Sequence, residues 1–456
     1  MLIDTHAHLE MEPFDNDRED AIKRAKDAGL GYIITVGSDL NGCRGAVELA
    51  EKHDFIYAAI GIHPHEVKDI TDETYNTICS LLKNKKIVAY GEIGLDYHYE
   101  HSPKDLQIKR FREQIQIAKE HNLPLIIHSR EAGDEAVKII KEEKAEHLSG
   151  VFHCFGGEIE LAKKVIDMGF YISFSGTLTF PKAVNVMNVA KEMPIENILI
   201  ETDCPYLAPQ PVRGKRNEPA YVKYVAEKLA ELKGLTYEDI GRITSFNAMN
   251  LFKIGKIEDE GKIVYPIRES LYLNLTNRCT SSCVFCVRYY TDFVKGHNLR
   301  LRKEPSAKEL TDAIGDPKRY EEIVFCGYGE PLIRLDVVKE VAKAVKENGG
   351  MVRVDTNGHA NLIHKRNILP ELKGLVDSMS ISLDADDAEK YFKICQPAFG
   401  IETYKAVIEF IKEAKKYIPD VTATVVRMPE IDTEKCEEIA KDLGVKLRIR
   451  EYNVVG

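Results

Sequence analysis

Eight short apolar runs punctuate the first half of the chain at intervals of roughly 25–35 residues. They are Leu2-Ile3, Tyr32–Val36, Ile56–Ile60, Ile87–Tyr90, Leu123–Ile127, Gly150–Phe152, Phe170–Phe174 and Ile198–Ile200. Amphipathic stretches rich in Lys and Glu separate most of them. β-rich runs alternating with helix-period stretches predict βαβ units and a parallel sheet. Eight such units in about 260 residues predict an α/β fold, a (β/α)8 TIM barrel. Further apolar runs follow at Leu271–Leu275, Ile323–Phe325, Met351–Val354, Met379–Leu383, Val421–Val426 and Val445–Ile449. Six units in fewer than about 200 residues are too few to close a full barrel, so a partial (β/α)6 barrel is expected. Between the two series, Lys253–Pro266 is charged, carries two glycines and ends in proline, which reads as a linker. The expected division is a barrel over 1–256, a linker over 257–268 and a second barrel over 269–456.

The polar residues that follow the first eight runs change the picture. His6 and His8, two apart, point to one side of a strand. Gly61-Ile-His63-Pro-His65 follows the third run, Gly91-Glu92-Ile-Gly-Leu-Asp96 the fourth and His128-Ser-Arg130 the fifth. His153 follows the sixth run, and Glu201-Thr-Asp203 the eighth. In a barrel these strand ends converge on one face. Imidazoles mixed with carboxylates suit zinc, manganese or magnesium. A carboxylate can also bridge two such ions. Arg213, Lys215 and Arg216 form a compact basic loop suited to phosphate.

The second half opens on a different chemistry. Cys279, Cys283 and Cys286 fall within eight residues, just after an expected strand. Three close thiolates suit an iron–sulfur cluster better than tetrahedral zinc, which wants a fourth close ligand. Cys326, Cys395 and Cys436 follow no ligand spacing, so one cluster is expected. Arg288–Lys303 interleaves basic and aromatic residues, either as a covering loop or as a surface for single-stranded nucleic acid.

Composition narrows the compartment and the partners. Among 456 residues, 44% are hydrophobic and 30% charged, an ordinary globular balance. No long apolar run or signal peptide is apparent, and ten cysteines lack a pairing pattern; a reducing cytoplasm and no membrane are expected. The net charge is −10, and residues 1–262 carry all of the excess, with 33 Lys+Arg against 43 Asp+Glu. Bulk charge therefore gives no support for binding a polyanion; local basic groups or metal ions would have to hold it.

The motifs Asp4-Thr-His-Ala-His8, Gly61-Ile-His-Pro-His65, Gly91–Tyr97, His153-Cys-Phe155, Glu201-Thr-Asp203 and Arg213–Pro219 together resemble the TatD family of metal-dependent deoxyribonucleases, of the amidohydrolase type. The cysteine triad, with Phe285 before its last member, resembles the radical S-adenosylmethionine (radical SAM) superfamily. The whole resembles TatD-associated radical SAM proteins. The first resemblance implies one metal held by His6, His8, Glu92 and Asp203, and a second held by Glu92, His128 and His153. Glu201 and Asp203 would orient or deprotonate the attacking water, and His63 and His65 would contact phosphate or protonate the leaving group. The second resemblance implies a 4Fe–4S cluster on Cys279, Cys283 and Cys286 that cleaves S-adenosylmethionine. Phe285, Gly327, Gly329, Glu330, Asp355, Asn357, Ser382 and Asp384 would surround that cofactor; Tyr328 stands where the family's motif carries glycine. DNA or another nucleic acid is the implied substrate, and flavodoxin or ferredoxin the implied low-potential electron donor. Two alternatives stay open: hydrolysis of an ester on D-aminoacyl-tRNA, and a nuclease regulated by an iron–sulfur redox sensor.

Overall fold

The computed structural model describes residues 1–452, so residues 453–456 of the expected second domain lie outside the described residues. The chain divides into two compact units, Met1–Ile257 and the remainder from Glu258. In the first, eight strands follow one another in sequence order round one parallel sheet. They are β1 (Leu2–Ala7), β2 (Leu30–Gly37), β3 (Ile56–Ile60), β4 (Ile87–Asp96), β5 (Leu125–Arg130), β6 (Gly150–Phe152), β7 (Tyr171–Phe174) and β8 (Ile198–Ile200). The ring closes just past β8, where the Asp203 amide donates to the His6 carbonyl (2.9 Å) and the His8 amide to the Cys204 carbonyl (2.8 Å).

Helices cover the outside of this barrel and apolar residues fill its inside. Ile3, Ile34, Ala59, Ile126, Val151 and Leu199 form one buried cluster with Ala248, Leu251 and Phe252 of the last helix, Tyr237–Phe252. That helix starts where Thr236 and Asp239 cap each other reciprocally. Burying each such side chain contributes about 1.5–3 kcal/mol. The plug leaves the carboxyl ends of the strands as the open end. Gly94 lets β4 lie close to β5: its φ is +140°, and a Cβ there would meet the His128 carbonyl oxygen at 2.0 Å.

The second unit holds β9 (Val264–Ile267), β10 (Ser270–Leu273), the ribbon β11 (Phe293–Val294) and β12 (His297–Asn298), β13 (Ile323–Phe325), β14 (Val352–Thr356), β15 (Ser378–Ser382), β16 (Asp420–Arg427) and β17 (Lys446–Glu451). Its main sheet runs β17-β16-β15-β14-β13-β10-β9. Six strands are parallel, as a partial barrel requires, and β9 pairs antiparallel with β10. The stretch expected as linker, 257–268, is thus partly a strand. Val264–Ile267 folds back on β10 through Arg268-Glu269, with Arg268 at φ +53°. Strand alternation then sorts the residues. Leu271, Leu273, Phe325, Val354, Ile381, Ala423 and Val425 join the helix-covered core, while Tyr272, Arg353, Ser380, Thr424 and Arg448 alternate with them on the other face.

Each unit has its own apolar core. A chain truncated after Ile257 is therefore expected to fold, giving a helical circular dichroism spectrum and one cooperative thermal transition. Gly94→Ala in the full chain is expected to lower the stability of the first unit by about 1–3 kcal/mol, read from denaturant unfolding.

Candidate metal centre and cysteine-lined cavity

Glu92 lies at the heart of the open end of the first barrel. It sits on β4, is 3% exposed, and turns its two oxygens to two different sets of imidazoles. Oε2 faces His6 Nε2 (3.4 Å) and His8 Nε2 (3.8 Å). Oε1 faces His153 Nε2 (2.7 Å), His128 Nδ1 (2.8 Å) and His63 Nε2 (3.4 Å). Around Oε2, His6 and His8 bring their Nε2 atoms to 3.2 Å of each other, and Asp203 Oδ1 lies 3.8 and 3.5 Å from them. Around Oε1, His128 Nδ1 and His153 Nε2 are 3.2 Å apart.

The hydrogen bonds behind these rings fix which nitrogen faces inward. His8 Nδ1 meets the Val36 carbonyl at 2.6 Å, so it carries a proton, and it is Nε2 that would give up its proton to an ion. His128 Nε2 meets Asp96 Oδ2 at 3.0 Å, which turns Nδ1 toward Glu92. Such outer partners are how proteins orient imidazole ligands. Asp96 also accepts from His65 Nε2 (2.9 Å) and from the His98 and Tyr99 amides. Asp4 does similar work deeper down. It accepts from the Thr202 amide (2.9 Å) and hydroxyl (2.6 Å), tying β1 to the segment after β8.

Charge in this site is tightly compensated. Burial pushes the Glu92 carboxyl up, but His153 and His63, with bonds from His128 and His153, outweigh it and hold the group well below the usual carboxylate range. Burial depresses His8 and His153, yet their carboxylate neighbours carry both well above the ordinary imidazole value. Protons there balance the same negative charge that divalent ions would. Burial takes Asp4 up to about 8 and His63 down to about 4. Imidazole nitrogens and two carboxylates that converge on shared points fit a two-ion centre.

A cavity of about 490 Å³ opens above it, lined by His8, His63, His65, Glu92, Asp96, His128, His153 and Asp203, with Tyr99, Arg130 and Tyr206. Not every expected site residue reaches it. Glu201 is fully buried behind His153, where it accepts from the Cys154 amide (2.7 Å) and the Ser173 hydroxyl and approaches His153 Nδ1 (3.5 Å). It positions a ring and does not face the cavity where an attacking water would stand. Arg213, Lys215 and Arg216 are absent from the lining. Arg216 is bidentate to Asp17 (2.6 and 2.8 Å) and lies over the Phe14 ring, while Arg213 lies over Phe180. Arg213 and Arg216 are thus engaged by neighbouring groups, and Arg130 is the arginine that lines the cavity. Sequence reading passed over Asp96 as a partner of the imidazoles, although its spacing of four from Glu92 on one strand puts both on one face.

In the second unit, Cys279, Cys283 and Cys286 line one cavity of about 190 Å³ together with Gly329, Glu330, Asp355, Asn357 and Ser382. The loop that carries the thiols is stitched from within. Arg288 donates to Cys286 Sγ (3.2 Å) and to the Asn277 and Ser281 carbonyls, and Asn357 Nδ2 donates to Thr280 Oγ1 (3.1 Å). Gly329 allows the next loop to press against it, because a Cβ would meet the Arg278 carbonyl oxygen at 2.2 Å. Burial and Glu330 push the Cys279 thiol up to about 11. Glu330 is itself 3% exposed and accepts from the Leu332 amide (3.0 Å), the Thr356 hydroxyl (2.8 Å) and the Asn357 amide (2.8 Å). Three thiols on one loop, with Ser281 Oγ and Asp355 Oδ1 buried at the cavity without hydrogen bonds, fit a cluster and a polar cofactor.

Three expected cofactor contacts are not part of this lining. Phe285 packs on the core. Gly327 abuts Asn274, whose Oδ1 a Cβ would meet at 2.4 Å. Asp384 is buried 3.8 Å from Arg450. Cys326, Ser380, Thr424, Arg448 and Arg450 line the cavity instead, alongside Arg288 and Tyr328. In the basic–aromatic stretch, Arg300 pairs with Asp292 (3.3 Å) and Arg302 with Asp259 (2.7 Å).

Comparison with known proteins adds a family to each unit. Residues 3–253 match the family model for TatD related DNase, and residues 273–443 match that for the radical SAM superfamily. Over 254 residues the chain is 52% identical to the uncharacterized metal-dependent hydrolase YabD of Bacillus subtilis, covering 56% of this chain and 100% of that one. It is 38% identical over 256 residues to the uncharacterized metal-dependent hydrolase YcfH of Escherichia coli, covering 56% and 96%. The crystal structure of YjjV, a TatD homologue from Escherichia coli, superposes with a TM-score of 0.54 at 31% identity over 56% of this chain and 98% of that one.

Asp96→Asn is expected to weaken metal binding about 10–100-fold, because His128 loses its orienting carboxylate; the ion content of dialysed protein, measured by plasma mass spectrometry, checks it. Arg216→Ala should leave that content unchanged and lower only thermal stability.

Proposed function

The chain belongs to the TatD related DNase family, and from that premise we propose that its first unit hydrolyses phosphodiester bonds in DNA and its second reductively cleaves S-adenosylmethionine. The observation that carries the first half is the division of Glu92, one oxygen to each of two sets of imidazoles. Two divalent ions, zinc, magnesium or manganese, would be held by His6, His8, Glu92 and Asp203 and by Glu92, His128 and His153, and would supply Lewis-acid polarisation of the scissile phosphate. Asp203, which lines the cavity, orients the attacking water and takes its proton. His63 and His65, on the same wall, hold the phosphate and serve the leaving oxygen. Asp96 keeps His65 and His128 in place, and Glu201 does so for His153. Arg130, with its guanidinium 4.6 Å over the Tyr99 ring, is the basic group available to a second phosphate.

For the second unit, membership of the radical SAM superfamily and the shared cavity of Cys279, Cys283 and Cys286 support the reading. A 4Fe–4S cluster on those thiolates would supply the electron that breaks the cofactor's sulfonium bond. Asp355, Asn357 and Ser382, which line the cavity at the strand ends, would hold the cofactor, while Glu330 fixes the turn after β14. The electron comes from a low-potential carrier of the flavodoxin or ferredoxin class. A reducing cytoplasm suits such a centre; no described helix is long and apolar enough to cross a membrane.

The test is anaerobic reconstitution with single-stranded DNA and, separately, with charged tRNA. DNA cleavage with Glu92→Ala at least about 100-fold slower is the expected result. Deacylation of D-aminoacyl-tRNA without DNA cleavage would replace the first half of the reading with the ester-hydrolase alternative. Replacing Cys279, Cys283 and Cys286 with Ala should remove iron and 5′-deoxyadenosine formation while DNA cleavage persists. Loss of DNA cleavage in that variant would favour the redox-sensor alternative.

A further inference from the structure

The interior of a packed barrel is filled by branched apolar side chains, and the first unit follows that rule. The second unit does not. Cys326, Asp355, Ser380, Thr424, Arg448 and Arg450, drawn from the end of β13 and from β14 to β17, line the cavity that the cluster cysteines enter. The polarity runs through the register of the sheet: Asp355 lies opposite Ser380, and Thr424 opposite Arg448. The helix-covered face of the same strands is apolar, so the polar face is a built feature and not a general polarity of the unit.

The two arginines stand out within it. They are two residues apart on β17 and so share a face, while Leu447 between Lys446 and Arg448 turns to the core. Arg448 makes no ion pair among the described residues. The carboxylate beside Arg450 is Asp384, at 3.8 Å, whose Oδ1 is buried without a hydrogen bond. Arg216 in the first unit shows the contrast, since both of its terminal nitrogens donate to Asp17. Two guanidinium forks with free donors at a cavity wall match a planar or tetrahedral oxyanion, which arginine binds in bidentate fashion.

We propose that the second unit acts on a small polar molecule bearing an oxyanion, phosphate or carboxylate, which Arg448 and Arg450 hold beside the cysteine triad. The proposal rests on the radical SAM reading and adds the class of substrate to it. The methionine carboxylate of the cofactor is the competing occupant of the same forks, and the experiment separates the two.

The full chain is reconstituted anaerobically, with divalent ions omitted so that phosphate is not drawn to the first unit, and its cluster is reduced in the presence of S-adenosylmethionine. Inorganic phosphate and ¹³C-carboxylate-labelled malonate are the probes, read as ³¹P or ¹³C hyperfine coupling to the cluster spin. One probe should couple in the unaltered chain. In R448A/R450A the concentration giving half-maximal coupling should rise about tenfold or more, and R448K/R450K should fall between. Coupling from S-adenosylmethionine labelled in its own carboxylate should be the same in all three. Phosphate coupling assigns the anion as a phosphate, malonate coupling as a carboxylate. Coupling by neither probe, or coupling indifferent to both double variants, overturns the proposal. Loss of the labelled cofactor's signal in R448A/R450A overturns it too, by giving the arginines to the cofactor. An unaltered chain that assembles no cluster would overturn the radical SAM reading itself, a failure visible before any probe is added.

Discussion

Glu92 sits 3% exposed within β4 with five imidazoles in reach of its two oxygens, and a buried charge must be compensated or it will not stay charged. Much of the first unit serves that requirement. The closure of the barrel past β8 brings Asp203 beside His6 and His8. The apolar plug at the opposite end leaves the carboxyl ends of the strands as the open end. Behind the imidazoles stands a second ring of groups: the Val36 carbonyl behind His8, Asp96 behind His128, and Glu201 behind His153. Each turns a specific nitrogen inward, and of the three only Asp96 also lines the cavity, so much of the site's geometry is set from behind the imidazoles.

The outline of this arrangement was legible in the sequence because barrel strands and their carboxyl-terminal polar residues repeat together. A histidine or carboxylate after each of several apolar runs can converge only if those runs are neighbouring strands, and they are. What escaped was anything decided by depth or by a distant partner. Glu201 and Asp203 are two apart in sequence, yet one is fully buried and the other lines the cavity. Arg213 and Arg216 read as part of a phosphate loop, but Arg213 lies over Phe180, and Arg216 pairs with Asp17 and lies over Phe14, contacts that no local pattern announces. Asp384 and Phe285 were placed by motif at a cofactor, but their side chains go to Arg450 and to the core. The linker stretch is in part a strand for a local reason: Val264–Ile267, with Pro266 inside it, lies on the edge of a sheet, where proline is tolerated.

The two barrels divide their interiors differently. In the first, the imidazoles and carboxylates gather toward the carboxyl ends of the strands, above an apolar filling. In the second, polar residues occupy the strand bodies, from Arg353 and Asp355 on β14 to Arg448 and Arg450 on β17. The stability of that unit then rests on the helix-covered face of the sheet, where Leu273, Phe325, Val354, Ile381 and Val425 meet Val338, Val341, Val407 and Phe410. Function and stability are therefore carried by opposite faces of the same strands, and residues one position apart answer to different demands.

That separation has a cost at the end of the sheet. Among the described residues β17 pairs only with β16, so its outer side offers an unpaired ladder of amides and carbonyls. Lys446, Arg448 and Arg450 recur at alternate positions along it, and charged side chains on such a strand are a recognised barrier to edge-to-edge association. The residues that make this strand an anion site would thus also keep it from recruiting a further strand. Solubility and ligand selection then constrain the same two positions, and a chain that drifted toward a neutral ligand by losing both arginines would at once acquire a sticky edge.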